Sequence, residues 1–371
     1  MVAAHGRSRL KRWLAEARVE MGLNGGGAAR GAARGAVLGG RGAEAGGRGA
    51  ARQPDPCGPE VVAQILAGNV AGLAVPAVIE ALLARSAVLL KPASEEPVTA
   101  RRFKESLDRA APVLGRAVLA ASWTGGDESV ERDVFASVDF VVASGDAETA
   151  RSVTARVAGP LLVYGPRVSI GIVGSAWRDA PPAWWSSVAR EIVLWEQAGC
   201  LSPRVLLVAG DRRRFAARLA EALASWERRW PSPRRTAGET SAVLAYRARY
   251  EMGDGRRRGI IAPAAPTWSV AWDDAPSLEV GPPARAVRVT ALPRPSDFRE
   301  LLIAHRDGLQ GMGYACLGER ARTYVEAARA VGVAFTAPLE AIQNPPAGWR
   351  ADGRSGLAEL LRRGRRTADH P

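Results

Sequence analysis

Cys200 is the residue of this chain best placed for nucleophilic chemistry. It stands in Trp195-Glu196-Gln197-Ala198-Gly199-Cys200-Leu201-Ser202-Pro203, past the end of a helical stretch and ahead of the apolar run 205–208. A thiol on a loop between rigid elements has room to attack an acyl carbon. A lone cysteine is more often a small buried residue, so the assignment depends on its companions. Cys57 and Cys316 are the other two cysteines.

Four further segments can supply the rest of a site. Gly68-Asn69-Val70 follows an apolar strand, and the Asn69 carboxamide there can donate to an oxyanion; it can also be a turn asparagine. Leu89-Leu90-Lys91-Pro92-Ala93-Ser94 ends a strand with Lys91, one of three lysines in a chain with 48 arginines. Such a lysine can hold a cofactor phosphate or ribose, or be an ordinary surface cation. Val142-Ala143-Ser144-Gly145-Asp146 turns from strand to helix, where backbone N–H groups can receive a phosphate, although no full GxGxxG run is present. In Leu278-Glu279-Val280-Gly281-Pro282, Glu279 can accept ribose hydroxyls or be a turn acid. No zinc spacing accompanies these residues, and no metal is expected.

The elements that must carry them read as α/β. Strands are expected at 87–90, 117–121, 140–143 and 161–164, with helices at 72–85, 98–111, 129–136 and 147–157 between them. That alternation makes a parallel sheet covered on both faces, with ligands beyond the carboxyl ends of its strands. A second region starts near Val168. It has helices at 182–197, 213–227, 296–305 and 319–331, and strands at 205–209, 267–272, 285–291 and 332–335. The apolar run 65–84 contains Asn69, Pro76 and Glu80 and reads as strand, turn and buried helix, not a membrane span.

A chain of 371 residues, 47% hydrophobic, is long enough for two domains. Three unpaired cysteines fit a reducing cytoplasm, and the basic N-terminus lacks the features of a signal peptide. The net charge of +13 gathers at the ends. Residues 1–56 carry ten Lys or Arg against four acids, and residues 350–371 six against three. Charged tails account for this without nucleic-acid binding. Residues 9–21 can form a short basic helix, and 24–52, nearly all Gly, Ala and Arg, are expected to be disordered. The expected organisation is a disordered segment 1–56, a cofactor domain 57–166, a catalytic domain 167–345 and a basic C-terminal segment 346–371.

Together the phrases "ILAGNV", "AVLLKPASEEP", "GPRVSIGIVG", "EQAGCLSPR" and "NPPAGWRADGRSGLAELLRR" resemble the aldehyde dehydrogenase superfamily, and within it the LuxC-type fatty acyl reductases. The resemblance runs from about Val61 to Arg363. It implies an aldehyde dehydrogenase-like α/β fold, with a parallel Rossmann-like cofactor domain beside an α/β catalytic domain. It further implies NADPH-dependent reduction of a long-chain acyl-CoA or acyl-protein thioester to the fatty aldehyde. Cys200 matches the acylated nucleophile, Asn69 the oxyanion amide, and Lys91 the lysine at the adenosine ribose and its phosphate. Gly145 matches the diphosphate turn and Glu279 the glutamate on the nicotinamide ribose. A homo-oligomer and an acyl-protein synthetase partner are also implied.

Three departures from the family pattern carry information. Ser94 stands where many NAD-preferring members have a glutamate, which removes a carboxylate that would repel a 2′-phosphate and favours NADPH; Glu95 is its neighbour. No acid occupies Gly165-Pro166-Arg167-Val168-Ser169, where oxidising members activate water; this suits a reductase, although a histidine is expected near Pro166 in this branch. A Gly/Ala/Arg tract takes the place of further N-terminal helices, implying a truncated chain or a reduced cofactor domain. His305 lies in an expected helix and offers no Cys–His dyad. Two other readings stay open: reduction of a different activated acyl group, such as a short acyl-CoA or an acyl phosphate, and an inactive relative that binds acyl chains or a partner.

Overall fold

The computed structural model describes residues 57–346 and 348–367, which form two compact units, 57–165 with 356–367 and 166–355. The expectations for residues 1–56 lie outside the described residues.

The first unit is built on a five-stranded parallel sheet in the order β3-β2-β1-β4-β5. Its strands are β1 (Val61–Ile65), β2 (Ala87–Lys91), β3 (Val118–Ala120), β4 (Phe140–Ser144) and β5 (Leu161–Tyr164). Between them run α1 (Ala74–Leu83), α2 (Val98–Ala110), the short α3 (Pro112–Arg116), α4 (Glu128–Phe135) and α5 (Ala147–Arg156). The central strands are buried from end to end because helices cover both faces. Val62, Val88, Leu90 and Phe140 pack on one side with Val78 and Leu360. Ala63, Leu89 and Val141 pack on the other with Val134 and Val153. At roughly 25 cal/mol per Å² of apolar area, these two faces are the main source of stability.

Leu360 belongs to α11 (Gly356–Thr367), so much of the expected C-terminal tail is a helix of the first unit. A Cβ at Gly364 would lie 1.8 Å from the Cys57 carbonyl oxygen. Only glycine lets this helix approach the start of the unit so closely.

The second unit carries a seven-stranded sheet in the order β12-β11-β6-β7-β10-β9-β8. Its strands are β6 (Val168–Val173), β7 (Pro203–Val208), β8 (Arg258–Ile261), β9 (Ser269–Asp273), β10 (Ala286–Ala291), β11 (Leu309–Ala315) and β12 (Phe335–Pro338). All pairs are parallel except β8 with β9. The helices are α6 (Pro182–Val193), α7 (Arg212–Arg229), α8 (Ala237–Glu251), α9 (Pro295–Ile303) and α10 (Arg320–Val331). Trp177, Trp185 and Phe215 fill one face with Leu206 and Val289; Phe298, Tyr324 and Met312 fill the other with Ile170 and Leu207.

Two elements here escape a reading by hydrophobic pattern. Helix α8 turns Arg247 inward, where the guanidinium reaches the Ser269 hydroxyl and the carbonyls of Pro263, Ala265 and Trp268. Its apolar stripe is therefore broken, while Thr236 and Glu239 form a capping box at its start. Strand β11, Leu-Gln-Gly-Met-Gly-Tyr-Ala, is absent from the expected strands, and a side chain at Gly313 would strike Leu339. Here glycine marks a close approach and not a turn.

Candidate active site

The helix expected over 182–197 stops at Val193. Leu194–Gln197 forms a 3₁₀ turn in which Trp195, Glu196 and Gln197 all take left-handed backbone conformations, at φ 56, 52 and 63. Three such residues in a row are costly, and the surroundings hold them. Glu196 accepts from the buried Arg285 guanidinium (Nε, 3.0 Å) and from the Ser232 hydroxyl (3.2 Å), with Arg235 at 3.6 Å. Arg285 also reaches Glu227 at 2.8 Å. The Gln197 carboxamide donates to the Pro203 carbonyl at 2.9 Å and ties the turn to the first residue of β7. Opposite charges inside this cluster offset the desolvation of Arg285.

Cys200 follows on a loop fastened from three sides. The Ser169 hydroxyl donates to the Cys200 carbonyl at 2.8 Å, Ser202 N–H donates to the Gly199 carbonyl, and the Ser202 hydroxyl donates to Gln343 at 2.9 Å. Gln343 is held in turn by Glu191 of α6. The loop precedes the amino end of β7 and rests on the amino ends of β6 and β11. The chain comes back from α6 to start β7 at that edge, in keeping with the expected place of Cys200 ahead of the apolar run 205–208. Cys316 lies past the carboxyl end of β11 and has no part in this cluster.

Burial, together with the negative charge of Asp352, pushes the Cys200 thiol up to about 11, against the opposing pull of the Cys200 and Leu201 backbone N–H groups. Asp352 is 152 residues away in sequence and was not among the candidates. It forms an ion pair with Arg167 at 2.9 Å. The Gln310 carboxamide, oriented with its nitrogen toward the carboxylate, donates to Asp352 at 2.6 Å and accepts from the Asp352 N–H at 3.1 Å. Burial raises the Asp352 carboxyl above the usual range, while Arg167 and Arg354 draw it back. Two register shifts flank β6, one leaving Gln310 unpaired against it and the other Arg204. Such bulges re-aim side chains beside a site.

In the first unit, Asn69, Lys91, Ser94 and Gly145 all belong to the carboxyl edge of the sheet. Asn69 is exposed on the loop after β1. That loop is anchored by the Ser144 hydroxyl, which accepts from Ala67 N–H and donates to the Ile65 carbonyl, both at 3.3 Å. Gly68 packs against Ala93 and Glu95, so the loops after β1 and β2 touch. Lys91 is only 8% exposed. Its amine lies 5.9 Å from the Trp123 ring centre, and burial lowers its basicity against the attraction of Glu131 and Glu95. Ser94 and Glu95 are exposed. After Gly145 the chain turns into α5, whose first turn is capped by the Asp146 carboxylate on Thr149 N–H at 2.8 Å. That carboxylate already occupies part of the anion-binding capacity of the helix end.

Glu279 lies on the loop between β9 and β10, exposed and paired with Arg249 at 2.8 Å and Arg288 at 3.2 Å; these cations hold it below the usual carboxylate range. His305 falls just past α9, exposed and bonded through Nδ1 to the Leu301 carbonyl oxygen. Among the described residues no group of three or more His, Cys, Asp or Glu side chains could hold a metal. No helix among them is long and apolar enough to cross a membrane.

Comparison with known proteins follows from this geometry. The lactaldehyde dehydrogenase of Escherichia coli superposes with a TM-score of 0.60 at 17% identity, over 83% of this chain and 72% of that one. The indole-3-acetaldehyde dehydrogenase AldA of P. syringae, in complex with NAD+ and IAA, gives 0.59 at 18% identity, over 76% and 61%. The expected aldehyde dehydrogenase-like fold is thus present. The long-chain acyl-protein thioester reductase 2 of Photobacterium leiognathi is 26% identical over 153 residues, which span 40% of this chain but 31% of that relative. The family model for acyl-CoA reductase (LuxC) matches residues 52–363, and the chain belongs to that family.

Proposed function

We propose that this protein reduces a long-chain fatty acyl thioester, acyl-CoA or acyl-protein, to the fatty aldehyde with NADPH, through a thioester on Cys200. The observation that carries the reading is the Cys200 loop, held in a strained conformation by the Glu196–Arg285 cluster and Ser169 in a chain of the LuxC family. The name of the Photobacterium leiognathi relative supports the acyl thioester as substrate.

The carboxyl edge of the first sheet fits a nicotinamide dinucleotide. Beside Lys91, the Trp123 indole N–H is buried with no hydrogen-bond partner among the described residues. Lys91 and the Ser94 hydroxyl would hold the adenosine ribose and its phosphate, and Gly145 would admit the diphosphate. Glu279, already between two arginines, would reach the nicotinamide ribose only by giving up part of an ion pair. When bound, the cofactor supplies the hydride.

Cys200 supplies the rest of the chemistry. Its thiol loses a proton and attacks the thioester carbonyl; the donor thiol departs with a proton, and the acyl group stays on sulfur. The Cys200 N–H and, on the resemblance, the Asn69 carboxamide stabilise the oxyanion. After reduction the carbon–sulfur bond breaks, which frees the aldehyde and regenerates Cys200. No acid among residues 165–169 activates water to hydrolyse the acyl-enzyme.

The test is NADPH consumption and aldehyde trapping with a long-chain acyl-CoA, for the wild type and Cys200→Ala. Aldehyde formation that is lost in the variant supports the reading. Equal turnover in the variant overturns it.

A further inference from the structure

Cys200 and Asp352 are placed by neighbouring residues of two paired strands. On β6, Ser169 holds the Cys200 carbonyl, and two residues earlier Arg167 holds the Asp352 carboxylate. Arg167 also donates to the Leu309 carbonyl at 3.1 Å. On β11, the carboxamide of the bulge residue Gln310 grips Asp352 at both its carboxylate and its backbone N–H. The next residue, Gly311, pairs with Ser169 and leaves space that a Cβ would fill, 2.9 Å from the Ser169 hydroxyl and 3.1 Å from Leu201.

Asp352 reaches this place on a tight hairpin turn. Ala351 and Arg354 form an antiparallel bridge, and Asp352 and Gly353 take φ 53 and 73. Two positive φ values make this the turn type that favours Asp-Gly or Asn-Gly. Asparagine would serve the turn equally well, so the turn does not explain a charge here. The charges bearing on Asp352 are Arg167 and Arg354, and the charge bearing on Cys200 is Asp352.

We propose that Asp352 is a positioning residue for Cys200: its carboxylate, partly neutralised by Arg167, sets how readily the thiol gives up its proton. The proposal rests on Cys200 being the nucleophile of the preceding section. An anion beside the thiol disfavours a second negative charge, and Arg167 softens that penalty. Removing either partner therefore has opposite effects.

The experiment is the pH dependence of iodoacetamide alkylation at Cys200, followed by mass spectrometry of its peptide in the full chain, without acyl donor or cofactor. Asp352→Asn, which keeps the turn, should move the midpoint down by about one pH unit. Arg167→Gln should move it up, and Arg167→Lys should restore the wild-type value. Circular dichroism and melting of each variant separate these shifts from misfolding. If Asp352→Asn does not fold, the Arg167 pair still decides. Midpoints that do not move, or that move in the same direction for Asp352→Asn and Arg167→Gln, overturn the proposal. A failure of the reductase reading shows differently, as the expected midpoint shifts with no acylation of Cys200 by thioesters.

Discussion

The Ser169 hydroxyl donates to the carbonyl of Cys200 itself, at 2.8 Å, from a side chain with no exposed surface. This bond fastens the Cys200 backbone to the second strand position of β6. Ser169→Ala leaves that carbonyl without its partner, which should cost about 1–3 kcal/mol in urea unfolding. Acylation of Cys200 should slow by about tenfold as the loop loses its anchor. A variant with wild-type stability and acylation rate would show that the bond is incidental.

Glu196→Gln keeps the shape of the side chain and removes its charge. Arg285, 1% exposed, would retain Glu227 as its sole carboxylate partner. Stability should fall by about 3 kcal/mol, because a buried cation loses half its compensation. The left-handed turn should loosen with it, and Cys200 acylation should drop more than the loss of folded protein explains.

Asn69→Ala tests the proposed oxyanion donor. Loss of one such donor costs about 3–4 kcal/mol of transition-state stabilisation, so acylation should slow by about 100- to 1000-fold. Melting of the variant, measured alongside, separates loss of the donor from loss of folded protein. An unchanged acylation rate removes Asn69 from the mechanism.

Ser94→Glu should reverse the proposed preference for NADPH. A carboxylate there would repel a 2′-phosphate and bond a 2′-hydroxyl, and a change of about 1.4 kcal/mol is tenfold. Kd values for NADPH and NADH by fluorescence titration should cross over. Equal losses for both would mean that the position contacts neither ribose.

Cys200 also predicts an alkaline weakness. The thiol ordinarily ionises near 9.0 and in the fold near about 11. Above about pH 9 the unfolded chain loses a proton that the native state keeps, so stability falls as pH rises toward about 11. Below pH 9 both states hold the proton and no penalty arises. The full loss is about 2–3 kcal/mol. Wild type minus Cys200→Ala, compared by denaturant unfolding across this range, isolates the effect from other groups; a pH-independent difference contradicts it.

Much of the fold was legible in the chain because its strands are short apolar runs bounded by turns. β5 falls on its expected residues 161–164, and α2, α4 and α5 end within a residue or so of expectation. The strands at 168–173 and 258–261 were not expected, and two further missed elements have a pattern interrupted for a local reason: α8 by the inward Arg247, and β11 by glycines that admit Ser169 and Leu339. The family and its fold were readable from "EQAGCLSPR" and its companions, since motif order and spacing survive in one dimension.

What only the tertiary structure decided is the electrostatic setting of Cys200. Asp352 belongs to a turn far along the chain, and nothing in its local sequence points to a thiol. Parallel pairing of β11 with β6 sets Leu309 opposite Val168, and the residues next to that pair, Gln310 and Arg167, hold the carboxylate. The position of the loop at the amino edge of the sheet was decided in the same way, by the direction of β7 relative to its neighbours. Sequence determines which groups a protein owns and where its elements begin. Strand pairing determines which distant charges share a low-dielectric site, and there a neighbour's charge shifts reactivity most strongly.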